Sequence, residues 1–384
     1  MRRLFVGVVL LFLLHPAEGW GAFQLTVEAR RHIVSGIDHM ANLDYSEARA
    51  AFGRLKNFPG GDLLIPFLEG LVAMDQTIQD DWEDEETIDE VLDRFLDRMG
   101  PVLTRGEALL EKAPDNADLL LALGIMHGTK AVVDRTRKNY FAAYHGIRES
   151  HHLLTRTLEV DGSRVDALWA LGLYDYAVSR VPTLLKPLVT LVLPSGGRDR
   201  GLERLKRVAR EGTFARVAAT VALARILTGL EEQYAEALPY AELLGTRYPG
   251  NPEFLFLLAF LHSETGQSRH ALAVAETIRK SLEQEHPYFP PAMTSRYLQL
   301  RGKIAMDAGT HEEALAFFRR AIEHGNSKYA WITAWAYTRT GMIYDLRGNR
   351  EKAEESYQRA LEIEQGGLAQ ERAERYLSEP YRGR

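Results

Sequence analysis

The stretch from Trp335 to Glu364, WAYTRTGMIYDLRGNREKAEESYQRALEIE, constrains this chain most, because it reads as two short helices folded back on each other. In the first helix Gly341 leaves room for a partner helix to approach, and Tyr344 follows one turn on. Gly348 ends that helix at a position that wants a residue tolerant of positive φ. In the second helix Ala353, Tyr357, Ala360 and Leu361 fall at steps of four, three and one, which puts them on one face. The rest of the chain varies this unit. At 384 residues, 46% apolar and 26% charged, it is either two ordinary domains or one elongated array whose core grows with length.

The segment GIDHMANLDYSEARAAFGRL opens the series. Its Gly36, His39, Ala48, Phe52 and Leu55 echo Gly341, Tyr344, Ala353, Tyr357 and Ala360, with Leu43 in the place of Gly348. Further inner helices centre on Gly70, Gly124 and Gly172, and extra residues between Gly124 and Thr157 predict an unusually long pair. Regular pairs resume at Gly201–Arg210 with Phe214–Thr228, and continue through Glu253–Glu264 with Ser268–Leu282 and Thr294–Asp307 with His311–His324. Between the two runs Pro182, Pro187 and Pro194 exclude one continuous helix. The expected organisation is therefore helical hairpins over 25–178, an apolar Pro/Gly connector over 179–200, a second array over 201–367 and a charged capping tail over 368–384.

The small–small–aromatic–small spacing over about 34 residues resembles the tetratricopeptide repeat, TPR. That resemblance implies an all-α, right-handed superhelix of about seven to eight hairpins, whose inner helices line a concave groove. The segments GIDHMANLDYSEARAAF, PDNADLLLALG and LEVDGSRVDALWALGLYDYAVSRVP, in that order, look like a group of exported bacterial TPR proteins. The Ser179–Leu202 segment, Ser-x-x-Pro-x-x-Leu-Lys followed by Arg-Asp-Arg-Gly-Leu, is also similar, over a short stretch, to the eukaryotic Iml2/TPR-39-like family. Neither resemblance brings a catalytic activity.

In such an array the groove-facing residues are expected three before, one after and four after each small close-contact residue. This register selects Phe67 and Leu71, Leu121 and Ile125, then Trp169, Leu173 and Tyr176. Further on it selects Ala222, Ile226 and Gly229, Phe256 and Phe260, Gln299 and Lys303, and Met342. Chaperone-binding TPRs put Lys and Asn here, whereas this set is mostly apolar and aromatic. Two readings follow: a tight superhelix whose groove is filled as core, for instance by Val181–Leu193, or an open groove for an apolar ligand or amphipathic helix. Ser195, Gly196, Gly197, Arg198 and Arg200 precede a helix. They form a capping turn with Asp199 or, alternatively, an anion site. The turn has no Walker lysine, so nucleotide is not expected.

Other clusters carry less. The acidic run Asp80–Glu86 has no calcium-loop spacing, and His127, His145, His151 and His152 have no acidic residue at ligand spacing, so no metal is expected. Arg135, Arg137 and Lys138 beside Tyr140, Phe141 and Tyr144 read as helix solvation with aromatic packing, and a net charge of −6 argues against nucleic acid. No nucleophile, base and orienting group stand together, so neither catalysis nor a cofactor is expected. Arg2 and Arg3, the apolar run Leu4–Leu14 and Ala17-Glu18-Gly19 read as a secretory signal cleaved after Gly19, placing the protein in the periplasm or cell envelope. No later stretch is long and apolar enough to span a membrane. The absence of cysteine excludes disulfides and thiolate metal sites. The functional expectation is a non-catalytic envelope scaffold that binds a protein or peptide partner along the groove. The alternative is a periplasmic carrier of an apolar small molecule or lipid.

Overall fold

The computed structural model describes residues 23–81, 84–182 and 194–383; the expected signal segment and most of Val181–Leu193 lie outside them. The described residues contain seventeen α-helices and no strand. Sixteen pair into eight successive hairpins. The first two are α1 (Val27–Ala41) with α2 (Tyr45–Gly53) and α3 (Gly61–Asp81) with α4 (Glu85–Lys112). Next come α5 (Ala117–Thr136) with α6 (Tyr140–Val160), and α7 (Ala167–Ser179) with α8 (Arg198–Glu211). The second half runs α9 (Arg216–Gly229) with α10 (Tyr234–Arg247), and α11 (Pro252–Glu264) with α12 (Ser268–Glu283). Last are α13 (Thr294–Asp307) with α14 (His311–Glu323), and α15 (Ala330–Leu346) with α16 (Arg350–Leu361), closed by α17 (Leu368–Ser378). This is the all-α, TPR-like superhelix that the spacing predicts.

Several hairpins close on a glycine against a large side chain. A Cβ on Gly341 would stand 2.5 Å from Cε1 of Tyr357, so only glycine lets α16 approach α15 this closely. Gly302 faces Phe318 and Gly36 faces Phe52 in the same way. The chain turns between helices in the left-handed region, with Gly348 at φ 72° and Leu43 at φ 66°. Asn116, Asn251 and Asn349 start their helices by accepting a backbone N–H, which satisfies one of the four donors each helix start leaves open.

The solenoid winds far enough to meet itself. Asp38, at the end of the first helix, accepts from Arg247 Nη2 at 2.7 Å and from the Tyr248 hydroxyl at 2.6 Å. The Tyr45 ring lies edge-on to Tyr288, 5.8 Å between centroids, and its hydroxyl donates to Asp75. The first hairpins therefore pack against the α10–α11 and α12–α13 turns.

Candidate functional site

The inner-face residues of the two halves have different fates. Phe67, Leu121 and Tyr176 are buried, and Leu71, Ile125, Trp169 and Leu173 pack against the same hydrophobic clusters. They are core. Phe256, Phe260, Lys303 and Met342 line a cavity of about 660 Å³ in the C-terminal half. Its walls come from the inner helices α9, α11, α13 and α15, with α17 closing one side.

Of the register expected for α9, Gly229 lines the cavity and Ile226 is core. Val221, Arg225 and Thr228, each one position before an expected residue, face the cavity as well, and Ala224 is fully buried.

The cavity is not the apolar trough that its register suggested. Five cations line it, Arg225, Arg296, Lys303, Arg339 and Arg372, against four carboxylates, Glu232, Glu253, Glu264 and Asp307. Arg296 lies between the rings of Phe256, at 4.1 Å, and Trp331, at 5.6 Å, and is held by Glu253 at 3.1 Å. Burial pushes the Glu253 carboxyl up, but Arg296 outweighs it and leaves the group below its ordinary value. Lys303 pairs with Glu264 at 2.9 Å and with Asp307, which also accepts from the Ser263 hydroxyl at 2.6 Å. Burial pulls the Lys303 ammonium down to about 8, with Asp307 partly opposing. Arg372 pairs with Glu232.

Arg339 differs from these. It is 8% exposed, stacks at 4.6 Å on the Trp335 ring, and has no hydrogen-bond or ion-pair partner among the described residues. Burial pulls its guanidinium down to about 10, with Asp307 partly opposing. Gln299, 6% exposed, likewise keeps its Nε2 without a hydrogen-bond partner among the described residues.

Arg296, Trp335 and Glu253 escaped the sequence register, although a signal was present. Each stands six residues before a small close-contact residue, Gly302, Gly341 or Ala259, one turn beyond the positions considered. The groove is simply longer toward the helix N-termini than that register allows.

The second candidate resolves differently. Arg198 pairs with Glu231 and Asp199, and Arg200 pairs with the buried Asp175 and donates to the Ser195 carbonyl. Gly196 fits against the Asp175 carbonyl and Val178. Ser195, Gly196, Gly197, Arg198 and Arg200 thus form a turn whose arginines are held by the protein's own carboxylates. Among the described residues no group of acidic and histidine side chains is arranged to hold a metal, and no helix is long and apolar enough to cross a membrane.

A solenoid of stacked helical hairpins with a cavity of mixed charged and aromatic lining has the architecture of a repeat protein. Residues 294–365 match the family model of the tetratricopeptide repeat, so this part of the chain carries such repeats. No curated protein matches the sequence. Among solved structures it is similar to a tetratricopeptide repeat protein from Parabacteroides merdae, at 13% identity and a TM-score of 0.40, over 82% of this chain and 98% of that one. It is also similar to yeast Tom70, at 10% identity and a TM-score of 0.36, over 92% of this chain and 82% of that one. At these identities and scores the likeness says nothing of what this chain binds.

Proposed function

We propose that the protein is a non-catalytic scaffold of the cell envelope that docks a segment of a partner protein in the C-terminal part of its groove. The observation that carries this is the cavity lining: guanidinium groups stacked on Phe256, Trp331 and Trp335, with carboxylates beside them. Stacked arginines and tryptophans are the side chains that concentrate binding energy at protein interfaces. A peptide supplies both the polar backbone and the apolar side chains that such a wall can match. An apolar carrier fits less well, because a lipid tail seated here would strip water from nine charged groups and return no hydrogen bond. The envelope assignment rests on the signal-like segment Arg2–Gly19.

The test is photo-crosslinking in cells that produce the full chain, with the crosslinker placed at Trp331 or Met342. One discrete protein adduct in the envelope fraction is expected, and none from the outward position Leu272, which is 42% exposed. Adducts equal from both positions, or a retained apolar small molecule seen by native mass spectrometry, would overturn the docking reading. Recovery of the chain in the cytoplasm alone would remove the envelope part.

A further inference from the structure

Building on the docking reading, we infer that this cavity takes an oxyanion, the carboxylate or phosphate group of its ligand, on Arg339 and Gln299 above the Trp335 ring. The other inward cations on α13 and α17 already have carboxylates: Arg296 has Glu253, Lys303 has Glu264 and Asp307, and Arg372 has Glu232. Arg339 has only the ring beneath it, and Asp307, the carboxylate whose field it feels, is bonded to Lys303 and Ser263. A guanidinium this deeply buried is costly when its donors go unmet, so an unpaired one facing a cavity marks the place where an acceptor belongs.

Gln299 gives the second, independent sign. Its Nε2 is a buried donor without a partner among the described residues, and it lines the same cavity from α13. Arg339 and Gln299 line the one cavity from adjacent inner helices, α15 and α13, and an acceptor with two oxygens suits such a pair of donors. A guanidinium offers a planar fork that suits carboxylate or phosphate geometry, and Trp335 fixes its plane. Arg225 adds an exposed cation to the lining. A purely apolar ligand group would leave Arg339 without an acceptor.

The experiment titrates the full chain with inorganic phosphate and, separately, with N-acetylglutamate, against sodium chloride at matched ionic strength, following tryptophan fluorescence. A saturable change from at least one oxyanion is expected, and the tighter of the two assigns the source as phosphate or carboxylate. Arg339→Met should weaken it on the order of tenfold or more, since hydrogen bonds to charged groups are the strong ones. The same variant should hold or raise Tm, by ~2 °C, because it removes an unpaired buried charge. A structural arginine would do the opposite. Should Arg339→Met fail to fold, Gln299→Leu decides by the same titration. No saturation beyond the chloride control, or undiminished affinity in the variants, overturns the inference. A partner that still crosslinks at Trp331 while both oxyanions fail would leave the docking reading standing and remove only this one.

Discussion

At the scale of single residues, the hairpins depend on glycines that cannot be enlarged. Gly341 sits against a Tyr357 ring that is fully buried and fixed by its hydroxyl bond to Asp345 at 2.8 Å. Alanine would gain roughly 1 kcal/mol of helix propensity. Overpacking a ring that cannot retreat costs about 3 kcal/mol, so packing wins and Gly341→Ala should destabilise by about 2 kcal/mol in denaturant unfolding. Gly53 supplies the contrast. It has helical backbone angles, φ −61° and ψ −23°, and nothing within 4 Å of an added Cβ, so Gly53→Ala should stabilise by about 0.5–1 kcal/mol. Equal effects at the two positions would show that space does not decide. These glycines were legible in the sequence because each meets its aromatic partner within one hairpin, as Gly36 meets Phe52 and Gly302 meets Phe318. Arg339 was not, since being unpaired is a property of the three helices around it and leaves no spacing to read.

Among elements, α9 depends on a residue from outside itself. Its own N-cap, Ala215, has no side-chain oxygen to offer the open N–H groups of the first turn. Asp166, at the start of α7, supplies one. Its carboxylate accepts from the backbone N–H of Thr213, Phe214 and Ala215 at 2.7 to 3.2 Å while only 6% exposed. Asp166→Ala should cost about 2 kcal/mol, because three backbone donors, the buried Ala215 N–H among them, lose a charged acceptor together. The amides of residues 213–215 should then exchange with solvent faster than those of α11. Unchanged protection there would mean that water or another group replaces the carboxylate without loss. The helices here were legible from their apolar spacing, but their pairing was not: the spacing joined Gly201–Arg210 to Phe214–Thr228, whereas α8 folds back on α7 and α9 pairs with α10. Nor was this cap legible: its two halves lie 47 residues apart, and nothing in a lone Asp beside Val165 announces a distant helix start.

For the whole molecule, the consequence of winding is closure. The turn after α1 meets the α10–α11 turn through Asp38 with Arg247 and Tyr248, the Asn42 side chain with the Gly250 N–H at 2.9 Å, and Asn251 with the Ala41 carbonyl at 3.0 Å. These partners are more than 200 residues apart, so no local pattern encodes them. The two halves differ on their inner side: the N-terminal inner residues pack as core, and the C-terminal ones keep a cavity that α17 borders. Only the Asp38–Arg247 contact is an ion pair between partly exposed groups, and salt screens such a pair to within about 3 Å at 1 M. The Tyr248 hydroxyl and the Asn42 and Asn251 amides are neutral donors and acceptors that salt leaves in place. High salt alone should therefore not open the ring, whereas Asp38→Ala combined with Asn42→Ala should. Small-angle scattering checks this. A compact chain of this length has a radius of gyration near 21 Å, and the double variant should exceed the wild type at unchanged helix content. If the two scatter alike, the winding is carried by core packing around Tyr45 and Tyr288, and the polar latch is incidental. If they differ, the variant frees the concave face of the first half, and the buried Phe67 and Leu121 become the surface along which the protein would collapse or aggregate.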